Sequence, residues 1–201
     1  LLAEYGIILP QGIGHVTNRL PGIVEDAQND FPGIFREILE RLRVHLLELN
    51  RQVQELEVLI DAWHRRSEGS QKLAQIPGIG PLTASALVAS IGDARNFKNG
   101  RELAAWLGLV PRQHSSGGKV LLQGISKRGD AYLRTLMIHG ARSVTRVAEK
   151  KSTPTDRWTT GVLVRRHKNI TAVARANKNA RVVWALLAHE RDYNADYKWA
   201  A

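Results

Sequence analysis

Two hydroxyls stand beside two residues without side chains, bracketed by cations, in the run Pro111-Arg112-Gln113-His114-Ser115-Ser116-Gly117-Gly118-Lys119. Those types at that spacing suit attack on a phosphodiester. A serine oxygen is the candidate nucleophile, the glycines let a backbone come close, and Arg112 and Lys119 can neutralise phosphate charge. His114 is a candidate base, or equally a phosphate-facing or merely exposed imidazole. The same composition describes a solvated turn. The surrounding sequence has to decide between the two.

Charge is the first arbiter. The 201-residue chain carries a formal +10, but the distribution matters more than the sum. Residues 1–70 hold seven Lys/Arg against eleven Asp/Glu, and residues 119–181 hold fifteen against three. A net +12 in some sixty residues points to a polyanion, most simply nucleic acid. A membrane surface would instead favour one amphipathic helix with large apolar residues opposite its cations, and here the cations spread over several segments. The absence of cysteine excludes disulfides and thiolate metal sites. No apolar run is long enough to span a bilayer and no leader pattern opens the chain, so the expected location is cytoplasmic, with no membrane partner. The chain opens on Leu1 and its only methionine is Met137, which suggests part of a longer protein.

The elements that must position the serines are expected to be helical. Residues 1–31 read as an irregular connection with short helices, punctuated by Gly6, Pro10, Gly12, Gly14, Pro21 and Gly22. From 32 to 70 comes a long coiled-coil helix. Phe35, Leu39, Leu42, Leu46, Leu49, Val53, Leu56, Ile60 and Trp63 alternate spacings of four and three, a heptad seam that predicts self-association of this chain. An ordinary bundle helix packed within one chain is the alternative. After a hinge at Gly69-Ser70, a compact helical domain spans 71–191, and 192–201 reads as a loose tail. The fold class is mainly all-α.

Within that domain, Ile76-Pro77-Gly78-Ile79-Gly80-Pro81 between two helical stretches looks like a helix-hairpin-helix. In such a unit Gly78 and Gly80 free the turn and expose amides to a phosphate at a helix N-terminus. A tight structural turn is the alternative. Lys119 to Gln123 reads as a short extended piece, and Asp130 caps a helix running from Ala131 to about Lys150. Arg134, Arg142 and Arg146 recur there at multiples of four, a stripe that can follow a phosphate backbone or simply be solvated. Lys127 and Arg128 precede it. Arg165, Arg166, Lys178 and Arg181 extend the cationic set over two further helices, expected near 156–167 and 170–191.

Five motifs now stand in one order: Ile76-Pro77-Gly78-Ile79-Gly80-Pro81, Gly108-Leu109-Val110-Pro111, Ser115-Ser116-Gly117-Gly118-Lys119, Ile125-Ser126-Lys127-Arg128-Gly129-Asp130 and Ala176-Asn177-Lys178-Asn179-Ala180-Arg181. Together they resemble the C-terminal half of transposases of the insertion-sequence 110 and 1111 group, relatives of the pilin-gene inverting recombinase. The resemblance implies a DNA recombinase of bacteria or archaea, nucleoid-associated, that excises and integrates a mobile element under the guidance of a bridging RNA. It implies a composite active site. An N-terminal domain supplies four carboxylates for magnesium, and the serine-bearing domain supplies the nucleophile. Carried over, Ser116 is the nucleophile. Many relatives have Gln where this chain has Ser115, so Ser115 is the weaker candidate. The N-terminal carboxylate domain has no counterpart here, and Asp93, Glu102 and Asp130 are scattered, so no cofactor is expected in this segment and no cutting by it alone. Two rival classes remain: a non-catalytic helix-hairpin-helix module that binds nucleic acid, and a coiled-coil scaffold whose basic half binds an acidic protein.

Overall fold

A computed structural model describes residues 1–116 and 119–197, with residues 114–116 and 119–122 described for their backbone only. The described residues form eight α-helices, three short 3-10 turns and one two-stranded sheet, so the fold is mainly α. They divide into two compact units, Leu1–Leu59 and Ile60–Ala201.

The first unit contains α1 (Ile13–Glu25) and most of α2 (Gly33–Arg66). Its small core is Leu20, Phe31 and Leu39, with Phe35, Val16 and Ile23 packed around them. Tyr5 stacks on Phe35 at 4.7 Å and meets Phe31 edge-on at 4.9 Å, which fastens the chain start to the entry of α2. Where punctuation by Gly and Pro suggests an irregular connection with short helices, α1 runs for 13 residues with Pro21 inside it. The proline removes one backbone donor, and Leu20 beside it is buried, so packing outweighs the lost bond. Along α2 the charged faces are laced by Arg43–Glu40, Arg51–Glu48 and Arg51–Glu55 pairs. The seam residues Leu42, Leu49, Val53, Leu56 and Trp63 are exposed.

The second unit holds α3 (Glu68–Ala74), α4 (Pro81–Ile91), α5 (Gly100–Trp106), the strands β1 (Pro111–Ser116) and β2 (Lys119–Ile125), then α6 (Ala131–Thr145), α7 (Pro154–Leu163) and α8 (Lys168–Ala188). Helix α8 is central. Ala172, Ala176, Ala180 and Val183 face inward, and these small residues let α5 and α6 approach it closely. At the α5 start a Cβ on Gly100 would lie 2.9 Å from the Arg181 backbone. The rest of the core comes from Leu73, Ile76, Leu87, Leu103, Leu107, Leu133 and Met137, all essentially inaccessible. Helix starts are fixed by side-chain caps: Ser67 accepts from the Ser70 amide, Asn99 from Arg101 and Glu102, Asp130 from Leu133, and Thr153 from Asp156. Each is worth about 1 kcal/mol. The expected tail is not wholly loose, since Tyr193 is half-buried against the core; residues 198–201 lie outside the described residues. No helix among the described residues is long and apolar enough to cross a membrane.

Candidate nucleic-acid interface

The serines lie in an antiparallel hairpin, where sequence suggests a loop followed by a short extended piece. The Cα pairs are Ser115 with Val120 and Ser116 with Lys119, so both serines sit at the closed end. The side chains of His114, Ser115, Ser116 and Lys119 lie outside the described residues, as do Gly117 and Gly118 altogether. At the open end Pro111 pairs with Ile125 and Gln113 with Leu122, so two steps on β1 face three on β2. That extra residue falls at Gln123-Gly124 and makes a bulge, the usual device for bending a ribbon and re-aiming its end.

The root of the hairpin is bolted to the helices. Ser126 donates its amide to the Val110 carbonyl at 2.8 Å and Lys127 to the Gly108 carbonyl at 3.1 Å. Gly108 and Gly129 have φ of +71° and +118°, and a Cβ on Gly129 would fall 1.9 Å from the Trp106 carbonyl oxygen. Only residues without side chains permit that approach. Arg134 closes the joint from α6, its Nη1 lying 3.3 to 3.4 Å from the carbonyls of Leu107, Gly129 and Asp130. From α8, Asn177 donates to the Leu109 carbonyl at 3.1 Å, and Asn179 donates to the Pro77 carbonyl at 3.0 Å. The two asparagines of the Ala176–Arg181 motif thus hold two different turns, while its alanines fill the core. Nothing in the spacing of the sequence distinguishes these asparagines from solvated ones.

Beside the hairpin root opens a cleft of about 960 Å³ between β2, α7 and α8. It gathers Arg166, Lys178 and Arg181 with Trp158, and Pro111 and Gly124 form part of its wall. Lys178 Nζ stands 4.4 Å from the centre of the Trp158 ring. Burial, then the charges of Arg175 and Arg181, pull the Lys178 pKa down to about 8. Trp158 is a cleft residue that charge-based reading overlooks. A tryptophan in a basic segment is the signal that would have found it.

The other candidates are dispersed. Arg112, Lys127 and Arg128 are exposed near the hairpin without lining the cleft, and Lys127 holds a φ of 54°. Arg142, Arg146 and Arg165 are exposed on α6 and beyond α7. Gly78 has a φ of +92° and faces α6 rather than open space: a Cβ there would meet the Gly140 carbonyl oxygen at 2.7 Å. Gly80 is exposed at the N-cap of α4, with nothing within 4 Å of an added Cβ. From Pro111 to Ser116 the strand rises roughly 17 Å, so the cleft and the serines mark opposite ends of the ribbon. Among the described residues no group of three or more His, Asp or Glu could hold a metal ion.

Residues 70–155 match the model of the transposase IS116/IS110/IS902 family. A "Probable family 20 transposase" of Pseudomonas aeruginosa is 47% identical over 194 residues, covering 96% of this chain and 57% of that protein. The transposase of insertion sequence element IS1111A from Coxiella burnetii is 40% identical over 193 residues, covering 96% and 53%. The pilin gene-inverting protein of Moraxella bovis is 33% identical over 93 residues, covering 46% and 28%. The chain spans little more than half the length of the first two relatives. With the family model lying on the second unit and relatives aligned along nearly its whole length, the chain belongs to the IS116/IS110/IS902 transposase family.

Proposed function

We propose that the complete protein is a DNA transposase that cuts and rejoins strands through Ser116, with a bridging RNA selecting the sites. The supporting observation is the hairpin pairing, which sets Ser115 and Ser116 at the far end of a ribbon whose root is fixed beside a cationic cleft. In the reaction a bond forms between Ser116 Oγ and the phosphorus as the bond from that phosphorus to one sugar oxygen of the strand breaks. The hydroxyl proton leaves to a base and the freed sugar oxygen takes one up. The number of phosphate ester bonds is unchanged, so attack by a second DNA end reverses the step without outside energy. Lys119, paired with Ser116, holds a strand at the serine, Arg112, Lys127 and Arg128 hold it toward the root of the ribbon, and Arg142, Arg146 and Arg165 follow the backbone. Gly80, at the start of α4, offers the phosphate contact expected of a helix-hairpin-helix. Guidance by base pairing removes any need for side chains to read sequence.

The magnesium implied by the resemblance is assigned to a carboxylate domain outside this chain. This chain by itself then binds nucleic acid and self-associates through the α2 seam, but does not cut. The test is a trap for covalent protein–DNA adducts in the complete protein, with guide RNA, magnesium and a nicked suicide substrate. Adduct is expected from the parent and from Ser115→Ala, and none from Ser116→Ala. An adduct that survives both changes, or cutting with no adduct, puts the nucleophile elsewhere. One observation favours a non-catalytic binding module instead: the clustered cations of the cleft lie about 17 Å along the ribbon from the serine. On that reading both serine variants behave as the parent.

A further inference from the structure

A surface that only tracks a phosphate backbone needs cations along its length and gains nothing from an apolar cavity. The cleft beside the hairpin root has both. Its volume of about 960 Å³ is that of a pocket for a small organic ligand, roughly 300–1,000 Å³. Much of the wall is apolar, including Pro111, Ile125, Trp158, Ile170 and Val173. Arg166, Lys178 and Arg181 share it, and among the described residues no carboxylate lines it. Stacked duplex DNA presents sugars and phosphates to a wall, with the bases turned inward, so an apolar cavity has nothing to receive from it. An unstacked nucleotide presents a flat ring and an anion together.

We propose that this cleft takes one unstacked nucleotide of a bound strand, the base against Trp158 and Ile170 and its phosphate among Arg166, Lys178 and Arg181. The proposal rests on the nucleic-acid reading above and adds the form of the strand. Aromatic side chains stack on any base, so the pocket recognises the unstacked state without reading sequence. Enzymes that handle strands commonly extract a base in this way. Arg166, Lys178 and Arg181 stand on one wall of the cleft, where a phosphate offsets their mutual repulsion. Because Pro111 lies at the other end of β1 from Ser116, a strand that reaches both is gripped about five stacked steps from the scissile position, at 3.4 Å per step.

Fluorescence anisotropy with the 201-residue chain at one fixed salt concentration tests this. Four probes are compared: a deoxythymidine oligonucleotide, an abasic deoxyribose-phosphate strand of equal length, a uridine RNA strand and a DNA duplex. The base-bearing strand is expected to bind at least about five-fold tighter than the abasic one, the lower bound for one stacked base. Trp158→Ala removes that gain and leaves abasic binding unchanged. Ile170→Glu serves as the second variant, because Ile170 is 55% exposed and lies in the first turn of α8, where an acid suits the helix. It weakens the base-bearing strand most. Whichever of the thymidine and uridine strands shows the gain identifies the strand that supplies the nucleotide. Equal binding of base-bearing and abasic strands to the parent chain overturns the proposal, as does a gain that survives both variants. If neither strands nor duplex bind, the nucleic-acid reading itself falls; if duplex binds and the gain is missing, only the cleft assignment does.

Discussion

Arg175 follows the same helical spacing as the surface cations around it, yet its side chain is 1% exposed. Its Nη1 donates to Thr159 Oγ1 at 2.7 Å and stands 3.4 Å from Asp156 Oδ1, in a pair of which the carboxylate is 2% exposed. Thr153 completes the group: its hydroxyl donates to Asp156 Oδ2 at 2.6 Å and accepts from the Asp156 amide, so the cap of α7 and the buried pair are one structure. Burial pulls the Arg175 pKa down against the opposing charge of Asp156. Breaking such a pair from one side strands a buried charge, at a cost of about 3–5 kcal/mol. Asp156→Ala is accordingly expected to lower the unfolding free energy in urea by that amount, and the double change Asp156→Leu with Arg175→Met to recover most of it. Recovery no better than the single variant's stability would mean the pair contributes more than its desolvation costs. Residues such as Arg175 and Arg134 were not legible in the sequence. Periodicity tells which face of a helix a cation occupies, whereas its role depends on which carbonyls and carboxylates another segment brings to that face.

At the scale of elements, the glycine-rich hairpin before α4 shows the same division. The Pro-Gly punctuation between Ile76 and Pro81 rightly marks a turn between helices, since α3 ends at Ala74 and α4 begins at Pro81. It does not reveal that Gly78 and Gly140 meet backbone to backbone, with an added Cβ on Gly140 only 1.7 Å from the Gly78 carbonyl oxygen. Gly140→Ala is therefore expected to push α6 off the hairpin and cost about 1–3 kcal/mol or more, the range of overpacked interiors. Gly80→Ser, in open space at an N-cap, should change stability by less than about 0.5 kcal/mol. Thermal denaturation of the two variants side by side checks this, and equal melting temperatures would refute the contact. The serine ribbon was only half legible. Lys119 to Gln123 reads as extended, but its partner strand carries Arg-Gln-His-Ser-Ser, which has no apolar alternation to announce it.

For the whole molecule, charge is segregated between an acidic first part and a basic second part. The heptad seam of α2 was fully visible in the sequence, because a single helix displays its periodicity without help from any other segment. Leu49, Val53 and Leu56 remain 44%, 53% and 57% exposed, a row that pairing with a second copy would cover. Replacing Leu49 and Leu56 together by Asp removes roughly 1.5–3 kcal/mol of burial per leucine. That corresponds to more than about a hundred-fold in the association constant. Sedimentation velocity should show the parent chain associated and the double variant monomeric; a monomeric parent would end the self-association reading. The root of the serine ribbon has a different kind of consequence. The chain leaves the helical body at Gly108 and returns to the same spot at Lys127, where the two residues are hydrogen-bonded. Topologically the ribbon is a side trip that begins and ends at one address. Doubling the length of such an excursion costs only about 0.6 kcal/mol in closure entropy. Reach toward a strand is thus a dimension that insertions and deletions can adjust almost freely, while the helices that anchor it keep their fit.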